Sequence, residues 1–381
     1  MDDELVQTRR AVHRHPELSF AEHETAALVA ARLRTLGLDP RDGIGGTGVI
    51  ADLEGGCRGP TLLLRADMDA LPVDEVAGRP HGSSVPGVMH ACGHDAHVSA
   101  LLGVARLLCR RRARLAGRVR FLFQPAEEIG QGARAMIEGN ALEGVDEALS
   151  AHVFTPLPFG HVGVRAGGML VGADMFELAV RGDGGHAATA HESRDAVLAA
   201  AHLVVALQSI VARETSPGSM LVLSVASIEG GSATNVVAPE VTLRGTLRWS
   251  LAAVRDRALL RMEEIGSGVC QAFRVVHELR LLATVPPLRC APSLAALLAD
   301  SANACAGATV VDPGVLPFSE DFGRFAELVP AAFCLVGAAG PGTGMHHAPD
   351  FDIDERAIGL TAEILARAAL ARLSGDATPE R

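Results

Sequence analysis

The chain has 381 residues, more than one typical core accommodates, so two domains are expected. Hydrophobic residues make up 48% of it, which excludes a disordered chain; with one Trp, no Tyr and twelve Phe, the interior must be mostly Leu, Val and Ala. A net charge of -11 argues against a nucleic-acid partner.

MDDEL at the N-terminus is acidic and has no apolar signal core. Ser19 and Glu22 make a capping-box pattern ahead of a helical run over 26–36. Residues 61–64 read as a buried strand leading into RADMDALP. Asp95 is placed to N-cap an apolar helix over 98–109, and the arginines at 110, 111, 112 and 114 then form a solvated end that suits the helix dipole. A strand over 119–123 leads into QPAEE, a helix starts over 133–137, and 147–153 is again strand-like. This alternation indicates an α/β layer sandwich with much parallel pairing.

The pattern changes near Val171. Strands over 176–180, 220–228, 241–249 and 275–282, with helices over 195–213 and 252–273, give the order βαββαβ of a ferredoxin-like domain. After Pro286 and Pro287 the alternation resumes, with a helix over 293–305, a strand over 331–336 and a helix over 355–373. The reading is therefore one domain from 1–170 and 284–381, with a second inserted over 171–283 and a loose tail after Leu373. The stretch 196–212 is the best membrane candidate, but it carries His202 and Gln208 and falls short of a full span, so a buried helix is expected and no membrane. Seven cysteines, an odd number without a CxxC pair, argue against a disulfide framework, and the cytoplasm is the expected compartment.

The chemistry concentrates in MHACGHDAH, which packs three histidines, a cysteine and an aspartate into nine residues. A helix would put His90, His94 and His97 on one face, although Gly93 disfavours it. An extended segment would put His90, Cys92 and His94 on one face instead, and Cys92 and His94 could then reach one metal centre. Two ligands do not make a site. Glu127 and Glu128 follow a strand, where open α/β sheets place ligands. Neighbouring side chains in extended chain point to opposite sides, so one can ligate a metal while the other takes a proton; two solvated acids is the plainer alternative. His152, His346 and His347 are further candidates. GDGGHAA puts His186 behind three glycines in the inserted domain, either as a surface turn or as a hydrogen-bond donor to a substrate.

The stretches HRHPELSFAE, LRADMDALP, MHACGHDAH, FQPAEE, AHVF, GDGGHAA, SATNVVAPEVTLRGTLR, SEDFGRF and MHHAPDFDIDE run in order through nearly the whole chain. Together they resemble the M20 metallopeptidases, specifically the amidohydrolase branch of hippurate hydrolases, indole-acetyl-amino-acid hydrolases and N-acetyl-diaminopimelate deacetylases. The resemblance implies a larger α/β metallopeptidase-like catalytic domain with an inserted ferredoxin-like lid and dimerisation domain. It implies two divalent cations, Mn2+ or Zn2+ with Co2+ or Ni2+ open, held by Cys92, His94, Glu128, His152 and His347. His347 is selected over His346 by the family's H-x-P pattern. Glu127 takes the part of general base, and His186 that of a residue reaching the active site of a partner subunit. Asn235 and Arg248 are substrate-binding candidates, and Asp67 and Asp69 support the ligands by hydrogen bonding.

The implied reaction is hydrolysis of an N-acyl amino acid to a carboxylic acid and a free amino acid, by a homodimer or higher homo-oligomer. A dipeptidase or carboxypeptidase on the same fold is the alternative, as is a non-catalytic metal- or amino-acid-binding homologue, which would have little reason to keep Glu127. The chain departs from the family pattern at Ala190, at Ala196 after Asp195, and at Pro239, which puts substrate preference in doubt more than chemistry.

Overall fold

Eight strands form the main sheet of the computed structural model, which describes residues 3–374; the tail expected to be loose lies, apart from Ser374, outside the described residues. Across the sheet run Arg41–Ile44, Gly48–Glu54, Ala116–Gln124, Cys57–Asp67, Glu147–Pro158, Ala331–Ala339, His161–Val164 and Thr309–Val311. From Ala116–Gln124 to Ala331–Ala339 the strands are mutually parallel; Gly48–Glu54 and His161–Val164 flank them antiparallel. Parallel strands covered on both faces read as continuous apolar runs, which is why these were visible in the sequence. They are longer than expected because polar residues at their ends are buried as well. Arg65, Asp67 and Gln124 are all interior, and there the apolar signal stops before the strand does. Helices His94–Cys109 and Arg356–Arg372 pack on each other, the first also against Cys57–Asp67 and the second against Glu147–Pro158.

Two expected helix caps differ. Helix His23–Thr35 starts earlier than the capping-box reading, and Ser19 and Glu22 do not cap it. Ser19 donates to Asp69 instead, and Glu22 accepts from the Phe20 and Ala126 amides. The free amides of Glu24 and Thr25 are taken by the Glu17 carboxylate, both at 2.9 Å. Asp95 lies within the first turn of His94–Cys109 rather than ahead of it; Gly93 holds the N-cap position in a left-handed conformation at φ 93°. Helix Asp3–Arg14 was not expected at all, because its inner face buries Thr8, Arg9 and His13 alongside Leu5, Val6 and Val12. A hydrophobic period read from apolar residues alone misses such a face.

The chain divides into two compact units, one of Met1–Met169, Leu288–Gly314 and Asp321–Arg381, the other of Leu170–Pro287 with Val315–Glu320. The second carries its own antiparallel sheet, in the order Leu221–Gly230, Glu240–Trp249, Gly172–Arg181, Val276–Val285. With helices Ala196–Ser209 and Ala252–Phe273 this is the βαββαβ arrangement of a ferredoxin-like domain. Asp195 caps the first helix, accepting from the Val197 and Leu198 amides. Only one face of that helix is buried, through Ala196, Ala199, Ala200, Leu203 and Leu207. Val197, Leu198 and Val205 face outward, so the stretch Ala196–Glu214 is long and apolar enough to cross a membrane by length and composition while packing on a sheet by one side. All seven cysteines are free thiols.

Candidate metal and catalytic centre

The candidate site lies in the first unit, at the carboxyl ends of its parallel strands, where this architecture places ligands. Asp67 ends Cys57–Asp67, and Asp69 follows it. Glu127 and Glu128 come three and four residues after Gln124, the end of Ala116–Gln124. His152 lies within Glu147–Pro158, level with Leu335 of the neighbouring strand. The loop after Ala331–Ala339 carries His346 and His347.

Two backbone positions are forced. Ala126 and His347 sit at φ 53° and 66°, in the left-handed region that side chains avoid. Each is held from outside. Glu22 accepts the Ala126 amide at 2.9 Å, and the His347 amide donates to Ala91 O at 2.8 Å, next to Cys92. Strain kept at such positions persists only where the surroundings over-determine it, and it clusters at functional sites. Gly93 is needed for space as well as for conformation, since a Cβ there would lie 2.4 Å from Val153 Cγ2.

Asp69 organises the centre. Its two carboxylate oxygens accept the Glu127 and Glu128 amides, both at 3.0 Å, and Ser19 donates to it at 2.7 Å. His94 Nδ1 lies 2.8 Å from Asp69 O and 3.2 Å from its carboxylate. That contact leaves Nε2 as the nitrogen available to a metal, and it is buried with no hydrogen-bond partner. His152 is fixed in the same way, its Nδ1 donating to Val153 O at 2.5 Å, so that Nε2 faces Cys92 Sγ at 3.6 Å. Glu128 Oε1 is also buried without a partner, 3.8 Å from His94 Nε2, and Glu128 Oε2 is 3.4 Å from His347 Nε2.

Buried polar atoms of this kind are costly unless something answers them. The donor atoms of Cys92, His94 and His152 lie within 4.8 Å of one another, as do those of Cys92, Glu128 and His347. Cys92 belongs to both groups. Three imidazole nitrogens, a thiol and a carboxylate are a fitting donor set for divalent transition metals.

The electrostatics agree. Burial opposes charge on His94, but Asp67, Asp69 and Glu128 outweigh it and push the ring up to about 10. Burial pushes Glu128 up to about 7, and burial together with Glu128, Glu127 and Asp67 raises the Cys92 thiol well above its ordinary value. An acidic pocket that holds protons where ligand atoms converge is one in which a cation would replace them.

His97, in the opening motif, is close but occupied. Its Nδ1 donates to Asp67 at 2.5 Å and its Nε2 accepts the Val153 amide at 2.9 Å, so neither nitrogen is left for a metal. The sequence did not single out Arg65, which ties Asp67, Gln124 and Asp321 together at 2.7, 3.0 and 3.0 Å. Asp321 also approaches Glu127, its amide 3.4 Å from Oε1. The SEDF and HPELSFAE stretches were the available signal; they supply Asp321, Glu17, Ser19 and Glu22.

In the second unit, Gly185–His186 pairs with Val236–Val237, and the Ala187 amide donates to Asn235 O at 3.0 Å, which brings His186 beside Asn235. His186 Nδ1 accepts the Ala188 amide at 3.1 Å, so the ring's proton is on the exposed Nε2. Arg248 donates to Pro317 O at 3.1 Å and meets Ser319 Oγ at 3.4 Å, and has no carboxylate partner among the described residues.

The description "Peptidase family M20/M25/M40" matches residues 63–371. N-acetyl-L-cysteine deacetylase of Bacillus subtilis (strain 168) is 38% identical over 358 residues, 94% of this chain and 85% of that one. Thermostable carboxypeptidase 2 of Saccharolobus solfataricus is 35% identical over 378 residues, 97% of this chain and 95% of that one. Among solved structures, the Bacillus subtilis YXEP protein, described as a dinuclear metal binding peptidase, superposes with a TM-score of 0.84 at 32% identity, covering 97% of this chain and 98% of that one.

Proposed function

We propose, since the chain belongs to peptidase family M20/M25/M40, that this hydrolase cleaves the amide bond of N-acyl amino acids at a two-cation centre. The ligands are Cys92, His94, Glu128, His152 and His347. The observation that carries the reading is the convergence of buried ligand atoms that no hydrogen bond answers. His94 Nε2 and Glu128 Oε1 are buried without partners, and Cys92 is common to two three-residue donor groups. Bound cations supply Lewis acidity, polarising the scissile carbonyl and making water acidic near neutral pH. The thiol favours zinc, whereas the imidazoles and the carboxylate leave manganese, cobalt and nickel open.

Glu127 is the proton carrier. Asp69 holds its backbone, and its carboxylate belongs to a donor group with His94 and Glu128, so it stands beside the ligands. It takes a proton from the attacking water and delivers it to the departing amine nitrogen. Arg248, whose partners are neutral, fits the substrate carboxylate. Asn235, whose carbonyl accepts the Ala187 amide next to His186, is the other substrate-binding candidate.

His186 of a partner subunit answers the oxyanion with its Nε2–H. Support for a homodimer comes from the outward apolar residues Val197, Leu198 and Val205, and from Val222 and Ile228 on the edge strand Leu221–Gly230. His186→Ala is expected to keep its metal and lose about 100- to 1,000-fold in turnover. Metal analysis alongside steady-state rates checks this, and full activity rules the role out.

The relative named as a carboxypeptidase keeps a second reading alive, a peptidase at the same centre. A panel of N-acetyl amino acids, N-benzoyl amino acids and dipeptides, assayed with Mn2+ or Zn2+ restored, separates the two. Hydrolysis of the acyl amino acids supports the proposal; release from dipeptides alone overturns it.

A further inference from the structure

We propose that His346 is a positioning residue for Cys92, donating its Nδ1–H to the sulfur and fixing the direction in which that sulfur faces the cations. The proposal rests on Cys92 being a ligand. The two adjacent histidines part company because His347 is in the left-handed region at φ 66°. His347 reaches Glu128, while the His346 ring turns inward. It stacks on Phe154 at 5.6 Å and 24°, tilts against Phe351 at 5.0 Å, and meets His152 at 5.5 Å and 63°.

The proton on His346 can be placed from its partners. The Thr155 backbone amide lies 3.1 Å from Nε2. A backbone amide only donates, so Nε2 must present its lone pair and the ring's proton must be on Nδ1. Nδ1 is 3.7 Å from Cys92 Sγ. His346 therefore has no lone pair to offer a metal, which is a physical reason for its neighbour to be the ligand.

The sulfur then sits between unlike neighbours. On one side is the His152 Nε2 lone pair at 3.6 Å, on the other the His346 N–H at 3.7 Å. When Cys92 is a thiolate, the His346 N–H is placed to donate to it, and the His152 lone pair is left for a cation. Partners that hold a ligand in this way typically contribute about 10- to 100-fold in metal affinity. A donor on the sulfur also withdraws electron density from it, which raises the energy of sulfur-to-metal charge transfer.

Two variants separate this role from packing. His346→Phe keeps a ring between Phe154 and Phe351 but removes the donor. His346→Asn places a side-chain N–H near the position of Nδ1. Metal-free protein is titrated with Co2+, reading both affinity and the sulfur-to-cobalt absorption band. His346→Phe is expected to bind about 10- to 100-fold more weakly and to shift the band to longer wavelength, with His346→Asn recovering most of both. A band and affinity unchanged in His346→Phe overturn the proposal alone. Absence of the band in the unaltered protein overturns Cys92 as a ligand, and the proposal with it. Long-range 1H–15N correlation on unaltered, metal-free protein gives an independent reading: the Nδ1–H form of His346 is expected, and the Nε2–H form overturns the proposal whatever the variants do.

Discussion

Glu127→Gln is expected to lower turnover by about 100- to 10,000-fold while leaving the metal content unchanged. The substitution is nearly isosteric. Its backbone amide still reaches Asp69, and its side-chain carbonyl can still accept from the Asp321 amide. What it loses is the ability to take a proton and hand it on. Glu128 is the informative contrast one position away. Its Oε1 is buried without a partner and its Oε2 faces His347, and burial pushes it up to about 7, so Glu128→Gln is expected to lose metal first and activity as a consequence. Elemental analysis and steady-state kinetics on both variants distinguish the roles. A Glu127→Gln protein that loses metal makes Glu127 a ligand; one within a few-fold of normal activity removes it from the chemistry.

Arg9→Met is expected to cost about 3–5 kcal/mol of stability, a large part of what a protein possesses. The guanidinium is wholly buried. It donates to Asp95 at 2.7 Å, Asp352 at 3.0 Å and Glu355 at 3.3 Å, with His81 Nε2 at 2.9 Å. These groups come from helix His94–Cys109, from the segment after His347, and from the loop around His81. Removing Arg9 leaves Asp95 buried with His13 as its remaining cationic partner, at 2.7 Å.

The loss should depend on pH. Burial favours a neutral Asp95, but Arg9 and His13 outweigh it and hold the carboxyl far below its usual range. Its contribution is present above the ordinary carboxylate value of about 4 and is lost as pH falls through the folded-state value. His13 runs the other way. Burial opposes its charge, but Asp95 and Glu75 outweigh that and raise it. Its contribution is complete below the ordinary imidazole value of about 6.5 and is lost as pH rises through the higher folded-state value. In Arg9→Met, Asp95 keeps a cation only while His13 is protonated, and loss of the Arg9 charge raises His13 further, so the destabilisation is expected to grow as pH rises through the folded-state value of His13. Urea unfolding across a pH series measures it; a cost below about 1 kcal/mol, or one that shrinks as pH rises, contradicts the account.

Much of the fold could be read from the sequence where burial and apolarity coincide. The central strands and the βαββαβ order of the second unit are of that kind. Helix Asp3–Arg14 was not legible, because Arg9 and His13 are interior by virtue of charge pairing rather than hydrophobicity. The same cause hid Arg65, whose partners Asp67 and Asp321 are 2 and 256 residues away in sequence and both adjacent in space. The antiparallel strands Gly48–Glu54, seven residues, and His161–Val164, four residues, were not picked out from the sequence.

The gathering of Cys92, His94, Glu128, His152 and His347 came from the resemblance, since no local pattern brings residues so distant in the chain to one point. Their tautomers and orphaned lone pairs could not have been found without coordinates. Asp95 shows the limit of local rules: a plausible N-cap by position, it is instead the counter-charge of Arg9.

The most direct test of the central claim is the stoichiometry of tight divalent-metal binding to metal-free protein, by equilibrium dialysis with elemental analysis. Two ions per chain are expected, with binding lowered in Cys92→Ala because that sulfur belongs to both donor groups. No tightly bound ion, or two ions held as firmly by Cys92→Ala as by the unaltered chain, would contradict it.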